Sequence, residues 1–172
     1  MLKSPLVFDA SALFNFGHRG NLSQLLVHLR ESHTLIVTSS VVAEIVIEPR
    51  FDYKVLIEEH FGIQQTITMP EDVSTLALLS ASLGAGELDV ILLAMQTKGT
   101  AVIDERAARR QARELGLAVI GTLGLLQYAV EKKWMSDSKV LASVQQLRQN
   151  GFRCPSAEGF TSLAKFLELF KV

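Results

Sequence analysis

Short apolar runs alternate with longer amphipathic stretches over most of the chain. Leu6 to Asp9, Leu35 to Thr38, Gln65 to Met69, Ala101 to Asp104 and Leu117 to Gly121 have the length and the apolar or β-branched content of buried strands. Between them the spacing predicts a helix over Leu22 to Leu29, with Asn21 as its cap, and another from Val41, introduced by Ser39-Ser40 and ended by Pro49. Phe51 to Phe61 reads as helix. Pro70-Glu71-Asp72 opens one that runs to about Ser82 and breaks at Gly84-Ala85-Gly86. Glu87 to Thr97, Glu105 to Leu115 (stopped by Gly116) and Leu123 to Trp134 complete the alternation. Beyond Met135 the pattern predicts helix only, over Lys139 to Gln149 and Ser162 to Phe170. Strands separated by helices imply parallel pairing through right-handed crossovers, hence a three-layer α/β/α sandwich.

In such a sheet ligands bind beyond the carboxyl ends of the strands. Asp9 and Asp104 end two predicted strands, Glu44 lies in the apolar stretch Val41 to Ile47, and Glu87 and Asp89 open the apolar run Val90 to Met95. An acid in such a place is costly unless something compensates it, and where several share a pocket the usual compensation is a divalent cation. Each acid also has a plainer reading. Asp9 suits the cap of the turn that follows it, and Asp104 the cap of the helix from Glu105. Glu87 and Asp89 suit the positive end of a helix dipole. Being two residues apart, they diverge by roughly 200° on a helix, so both need not face one site. Asp89 ranks slightly ahead because it leads directly into the buried stripe. Glu44 resists the plainer reading: Ser40 is four residues away, one too many for a capping box, and Val41, Val42, Ile45 and Val46 around it are apolar. The argument rests on the set. Carboxylates without clustered His or Cys favour Mg²⁺ or Mn²⁺ over zinc. Such an ion lowers the pKa of a bound water and reverses the sign of a site that would otherwise repel phosphate. The expected chemistry is metal-dependent cleavage of a phosphodiester, with RNA the leading substrate.

At 172 residues, 48% hydrophobic and 20% charged, the chain suits one globular domain with a generous core. No apolar stretch approaches the roughly 20 residues of a membrane span, and Met1-Leu2-Lys3-Ser4-Pro5 lacks the features of a signal peptide. A cytoplasmic protein with no membrane association is expected. Cys154 is the only cysteine, which excludes an intrachain disulfide and a thiolate zinc cluster. His18, His28, His33 and His60 lack metal-ligand spacing. With a net charge of −1, binding of nucleic acid needs locally concentrated bases. Arg106, Arg109, Arg110 and Arg113 supply them, with 106, 109 and 113 on one helical face. They suit phosphate contacts or, equally, a solvated surface paired with Glu105 or Glu114. His18 and Arg19 are weaker candidates, and no aromatic stacking platform stands out.

These motifs, in this order, resemble the PIN-domain family of small metal-dependent nucleases. Val-Phe-Asp-Ala-Ser-Ala-Leu resembles its first acidic motif, giving Asp9 as ligand with the Ser11 hydroxyl nearby. Val-Val-Ala-Glu-Ile resembles the second and gives Glu44. Gly-Glu-Leu-Asp-Val-Ile-Leu-Leu-Ala resembles the third, with Asp89 at the usual acid and Glu87 as an extra one. Val-Ile-Asp-Glu-Arg-Ala-Ala-Arg-Arg-Gln-Ala resembles the fourth and gives Asp104, with Glu105 as a helper. The stretch that ends Gly-Thr-Leu-Gly is similar to one branch of the family and sets Thr122 at the site edge. The resemblance implies a strand order of 3-2-1-4-5, a Mg²⁺ or Mn²⁺ cofactor and an RNA substrate. Many members are toxins of bacterial toxin–antitoxin pairs, which implies a small antitoxin protein as partner, and homodimers are common. The motifs span Leu6 to Trp134. They divide the chain into a nuclease domain over residues 1–135 and a helical extension over 136–172 that packs on the same domain. In that extension Phe160, Leu163, Leu167 and Phe170 recur at helical spacing, widened by Phe166.

Rival sites fit less well. A haloacid-dehalogenase-type phosphatase wants an Asp where Ser11 stands, a receiver domain wants an acidic pair near the first strand, and a dinucleotide site wants a glycine fingerprint after it. The alternative from another class is a non-catalytic RNA-binding or protein-interaction module on the same scaffold. Retention of all the acids argues against it.

Overall fold

The structure is a computed structural model and describes residues 2–64, 83–154 and 156–168. Its sheet is built outward from Leu6–Phe8 (β1). On one side β1 pairs with Leu35–Thr38 (β2), Val7 opposite Ile36; on the other it pairs with Thr100–Val102 (β4), Val7 opposite Ala101. Gly62–Gln64 (β3) lies outside β2, and Ala118–Ile120 (β5) outside β4. All pairings are parallel, and the order is β3-β2-β1-β4-β5. The strands β1, β2 and β4 are buried throughout, as expected for apolar runs covered by helices on both faces. The predicted third strand, Gln65 to Met69, and the helix from Pro70 to Ser82 lie outside the described residues; the described strand in that region is Gly62–Gln64.

Cap chemistry sets the helix boundaries, and several differ from those expected. Ala10–Phe14 (α1) passes into a π-helical turn, Asn15–Arg19, which was not foreseen. Asn21 does not cap the next helix: it takes a left-handed conformation (φ 49°), which Asn tolerates better than most residues, and Ser23–Ser32 (α2) starts two residues later. Thr38, the last residue of β2, caps Ser39–Ile45 (α3) by accepting from the Val41 N–H at 3.3 Å. That helix therefore starts before Val41, and it ends at Ile45, short of Pro49. Asp52 caps Tyr53–His60 (α4). Gly84 is extended and stands as the N-cap of Ala85–Thr97 (α5), which starts two residues before the expected Glu87. The remaining helices among the described residues are Arg106–Glu114 (α6), Thr122–Glu131 (α7), Asp137–Gln149 (α8) and Leu163–Leu167 (α9).

The buried residues form one continuous cluster. Phe8, Leu13 and Phe16 at the first strand and turn join Val90, Ile91, Leu93 and Ala94 of α5, Leu125 and Leu126 of α7, and Val140, Val144 and Leu147 of α8. Leu163 and Phe166 of α9 belong to the same cluster, and the Leu163 N–H donates to the Asp137 carboxylate at 2.6 Å. Phe170 lies outside the described residues. Among the described residues no helix is long and apolar enough to cross a membrane. Because the Phe166 side chain is wholly inside the shared core, Phe166→Ala should cost about 3–5 kcal/mol of unfolding free energy, read from the urea midpoint. A loss under about 1 kcal/mol would show that the C-terminal helix contributes little to that core.

Candidate active site

In a sheet of this order the chain leaves β1 towards β2 on one side, while β4 joins it on the other. This is the reversal at which a crevice opens beyond the strand ends. Asp9 directly follows β1 and Asp104 lies two residues after β4. Asp9 is 3% exposed and caps α1: its Oδ2 accepts from the Ser11 N–H at 3.1 Å and the Ser11 hydroxyl at 2.5 Å. The same hydroxyl accepts from the Asp104 N–H at 3.3 Å, so Ser11 ties the two strand ends together. Asp104 does not cap α6, whose N-cap is Glu105. It reaches instead to the start of α7. There it accepts from the Thr122 N–H at 2.9 Å, the Thr122 hydroxyl at 2.5 Å and the Asn15 amide at 2.9 Å. Asn15, fully buried in the π-turn, also donates to Thr122 Oγ1 at 3.2 Å. Nothing in the motifs pointed to it. The available signal was a single amide inside Leu13-Phe14-Asn15-Phe16, where a polar side chain needs buried partners.

Asp9, Glu44 and Glu87 line one open cavity of about 510 Å³, together with Ser11, Ser40 and Arg19. Glu105 borders it as well. Burial pushes the Asp9 carboxyl above the usual carboxylate range against the Ser11 hydrogen bonds, and Asp104 adds to the rise. Glu44 is raised by burial and then by Asp9. Glu87 is raised chiefly by burial and further by Asp9, Glu105 and Glu44, although it accepts from the Gly84 N–H at 3.0 Å. These acids therefore share one electrostatic environment. Gly86 helps to make it: a Cβ there would stand 3.2 Å from Glu44 Oε2, so the missing side chain lets Glu44 lie against the first turn of α5.

Asp89 stands one side chain back from the cavity, behind Ser40. It is not among the residues that line the cavity, and it accepts a hydrogen bond from the Ser40 hydroxyl. Because α5 begins at Ala85, Glu87 returns to the helix start and the cavity while Asp89 turns towards α3. Asp104 borders a neighbouring groove, joined to the acidic cavity through Ser11, Arg19 and Glu105. Among the described residues no three of His, Cys, Asp and Glu already stand as a cation cage. In donor chemistry Asp9, Glu44 and Glu87 suit a hard divalent cation, since they offer oxygen only and a cation would relieve the burden that raises all three.

The arginine stripe divides into separate tasks. Arg109 donates to the Asp104 carbonyl at 2.5 Å and the Ile103 carbonyl at 3.3 Å, with its guanidinium 3.9 Å from Asp104 Oδ1. It holds the end of β4. Arg110 stands 3.9 Å from Glu114 on exposed surface, and Arg106 and Arg113 are exposed. His18 pairs with the Tyr53 hydroxyl at 2.8 Å, and burial lowers its pKa. Arg19 stands at the acidic cavity with its guanidinium 5.3 Å above the Phe14 ring.

Residues 5–168 match the PIN-domain family DUF3368, and the chain belongs to the PIN-domain family. The match takes in α8 and the whole of the described C-terminal segment, beyond the stretch to Trp134 that carries the motifs. No curated protein matches the chain. Among solved structures it is similar to a PilT N-terminus domain protein from the hyperthermophilic archaeon Sulfolobus solfataricus P2. That protein is 15% identical, with 87% of this chain and 96% of the other covered and a TM-score of 0.50; at this identity the likeness concerns the fold. The strand order and the family together define a nuclease-type fold, and PIN domains typically use divalent metal ions.

The raised acids bear on stability. A carboxyl with a raised folded pKa holds its proton more tightly folded than unfolded, so ionising it at neutral pH costs stability. That cost vanishes as pH falls through the folded value to the ordinary one. Without added metal, Asp9→Asn should therefore melt above the native protein at pH 7, and the gap should close towards pH 4, near the ordinary Asp range. A lower melting temperature at pH 7 would mean that the Asp9 charge is a net stabiliser.

Proposed function

We propose that the protein is a Mg²⁺- or Mn²⁺-dependent endoribonuclease that cleaves single-stranded RNA. The observation that carries this reading is the facing of Asp9, Glu44 and Glu87 onto one cavity at the carboxyl end of the central strand of a PIN domain. These three would hold the ion. When bound, it supplies an activated water and neutralises charge that builds on the phosphoryl oxygens. Ser11 holds the Asp9 carboxylate in place and fixes its distance from Asp104. Asp104, with Thr122 and Asn15 on its oxygens and Arg109 on its carbonyl, acts as the charged brace of the site. Asp89 sets Ser40 and, through it, the wall that carries Glu44. Arg106, Arg110 and Arg113 remain as surface contacts for RNA phosphates, whereas Arg109 is occupied. The reading also places the protein in the cytoplasm as a homodimer. It further suits the toxin of a toxin–antitoxin pair, held by a small antitoxin protein.

Incubation of purified protein with single-stranded RNA and Mn²⁺ tests this. Cleavage should stop with chelator. Asp9→Asn and Glu87→Gln should each lose more than the roughly 10–100-fold that follows loss of an outer-shell partner, and Asp89→Asn should lose less. Full activity in Asp9→Asn, from a preparation free of contaminating nuclease, would refute the assignment. RNA bound but uncut with either metal would favour the non-catalytic module.

A further inference from the structure

Beside the acidic cavity runs a groove of about 640 Å³, within the roughly 300–1,000 Å³ of small-ligand sites. Four arginines, Arg19, Arg109, Arg113 and Arg153, line it against two acids, Asp104 and Glu105. Arg109 is engaged with Asp104, donating to its carbonyl and standing 3.9 Å from its carboxylate. Among the described residues Arg19, Arg113 and Arg153 make no ion pair within the protein. Phe152 and Leu123, partly buried against the core, give the groove an apolar wall, and Asn15 lies along it. The buried Asn15 Oδ1 finds no partner among the described residues.

The chain builds this groove deliberately at the end of α8. Gly151 takes φ 93°, its N–H returns to the Arg148 carbonyl at 3.1 Å, and the Phe152 N–H returns to the Leu147 carbonyl at 2.9 Å. This is the Schellman arrangement, which needs a left-handed residue that glycine supplies without strain. It reverses the chain so that Phe152 and Arg153 border the groove. The residue just before the turn, Asn150, donates to the Arg19 carbonyl at 2.7 Å, fastening the loop that carries Arg19 between the two cavities. One short segment thus contributes an aromatic ring and a cation, and steadies a second cation.

We propose that this groove is a nucleotide subsite for the RNA strand beside the acidic cavity. A base stacks on Phe152 while Arg19, Arg113 and Arg153 hold the adjoining phosphates. The inference rests on the ribonuclease reading for its ligand. Uncompensated arginines beside an accessible ring suit a single strand, which presents both phosphate charge and free base faces, better than an acidic peptide, which presents charge alone.

The full-length Asp9→Asn protein, with chelator present, gives a binding assay without cleavage. The probe is a fluorescein-labelled single-stranded RNA oligonucleotide titrated at several salt concentrations. In that background Arg113→Ala and Arg153→Ala should each reduce the salt slope by roughly 0.7. Phe152→Leu should weaken binding by roughly tenfold at an unaltered slope. Melting curves check that the leucine variant is folded, and the two surface arginine variants keep the test decisive if it is not. Unchanged slopes in both arginine variants, or no RNA bound at all, would overturn the proposal. Displacement of the RNA by poly-glutamate with equal ease from the parent and from Phe152→Leu would overturn it too, by showing a surface for acidic protein segments. Native-protein cleavage with Mn²⁺ is measured in parallel. Cleavage without these binding effects removes the subsite and keeps the ribonuclease, whereas the binding effects without cleavage do the reverse.

Discussion

A charged group placed where solvent barely reaches it constrains the whole site. Asp9 is almost wholly buried at the end of the central strand, and the protein compensates it chiefly with the two donors of Ser11. Transfer of a carboxylate out of water costs far more than two such bonds return, so the position has to be fixed from several sides. The strand order does that. With β4 next to β1, Asp104 arrives at the same level, and one hydroxyl spans the gap between them. Asn15 can brace Asp104 and Thr122 because α1 passes into a π-turn directly after Phe14. Such turns are frequent at functional sites, where they re-aim a side chain at the cost of regular hydrogen bonding.

The same arrangement weighs against stability. Asp9, Glu44 and Glu87 are each pushed above the ordinary carboxylate range by burial and then by neighbouring acids, so holding them ionised in the fold costs stability. Stability sacrificed locally in this way is the usual mark of a site kept for chemistry. The surroundings supply what they can. A glycine on α5 lets Glu44 approach the helix start, the Gly84 N–H meets Glu87, and Arg109 secures the strand end without entering the acidic cavity.

Much of this was legible in the sequence because central strands of a parallel sheet are continuous apolar runs. Leu6–Phe8 and Leu35–Thr38 stand out, and the acids that end or follow such runs have few ordinary reasons to be there. What depended on helix phase was not legible. With α5 starting at Ala85, Glu87 faces the cavity and Asp89 turns to Ser40; a start at Glu87 would have left that choice open. Caps misled for a related reason. Thr38 reads as the last strand residue yet caps α3, and Asn21 reads as a cap yet sits in a left-handed turn. The contributions of Asn15, Phe152 and Arg153 depend on contacts between distant parts of the chain, for which local periodicity gives no signal.

The central claim is that Asp9, Glu44 and Glu87 act together as an oxygen-donor site for a divalent cation. Crystals grown with Mn²⁺ and measured for anomalous scattering test it most directly. The account predicts an anomalous peak in the cavity bounded by these three carboxylates, with Asp9 and at least one of the two glutamates at metal–oxygen bonding distance. A clear peak held by Asp89 away from that cavity, or an empty cavity at saturating Mn²⁺, would contradict it.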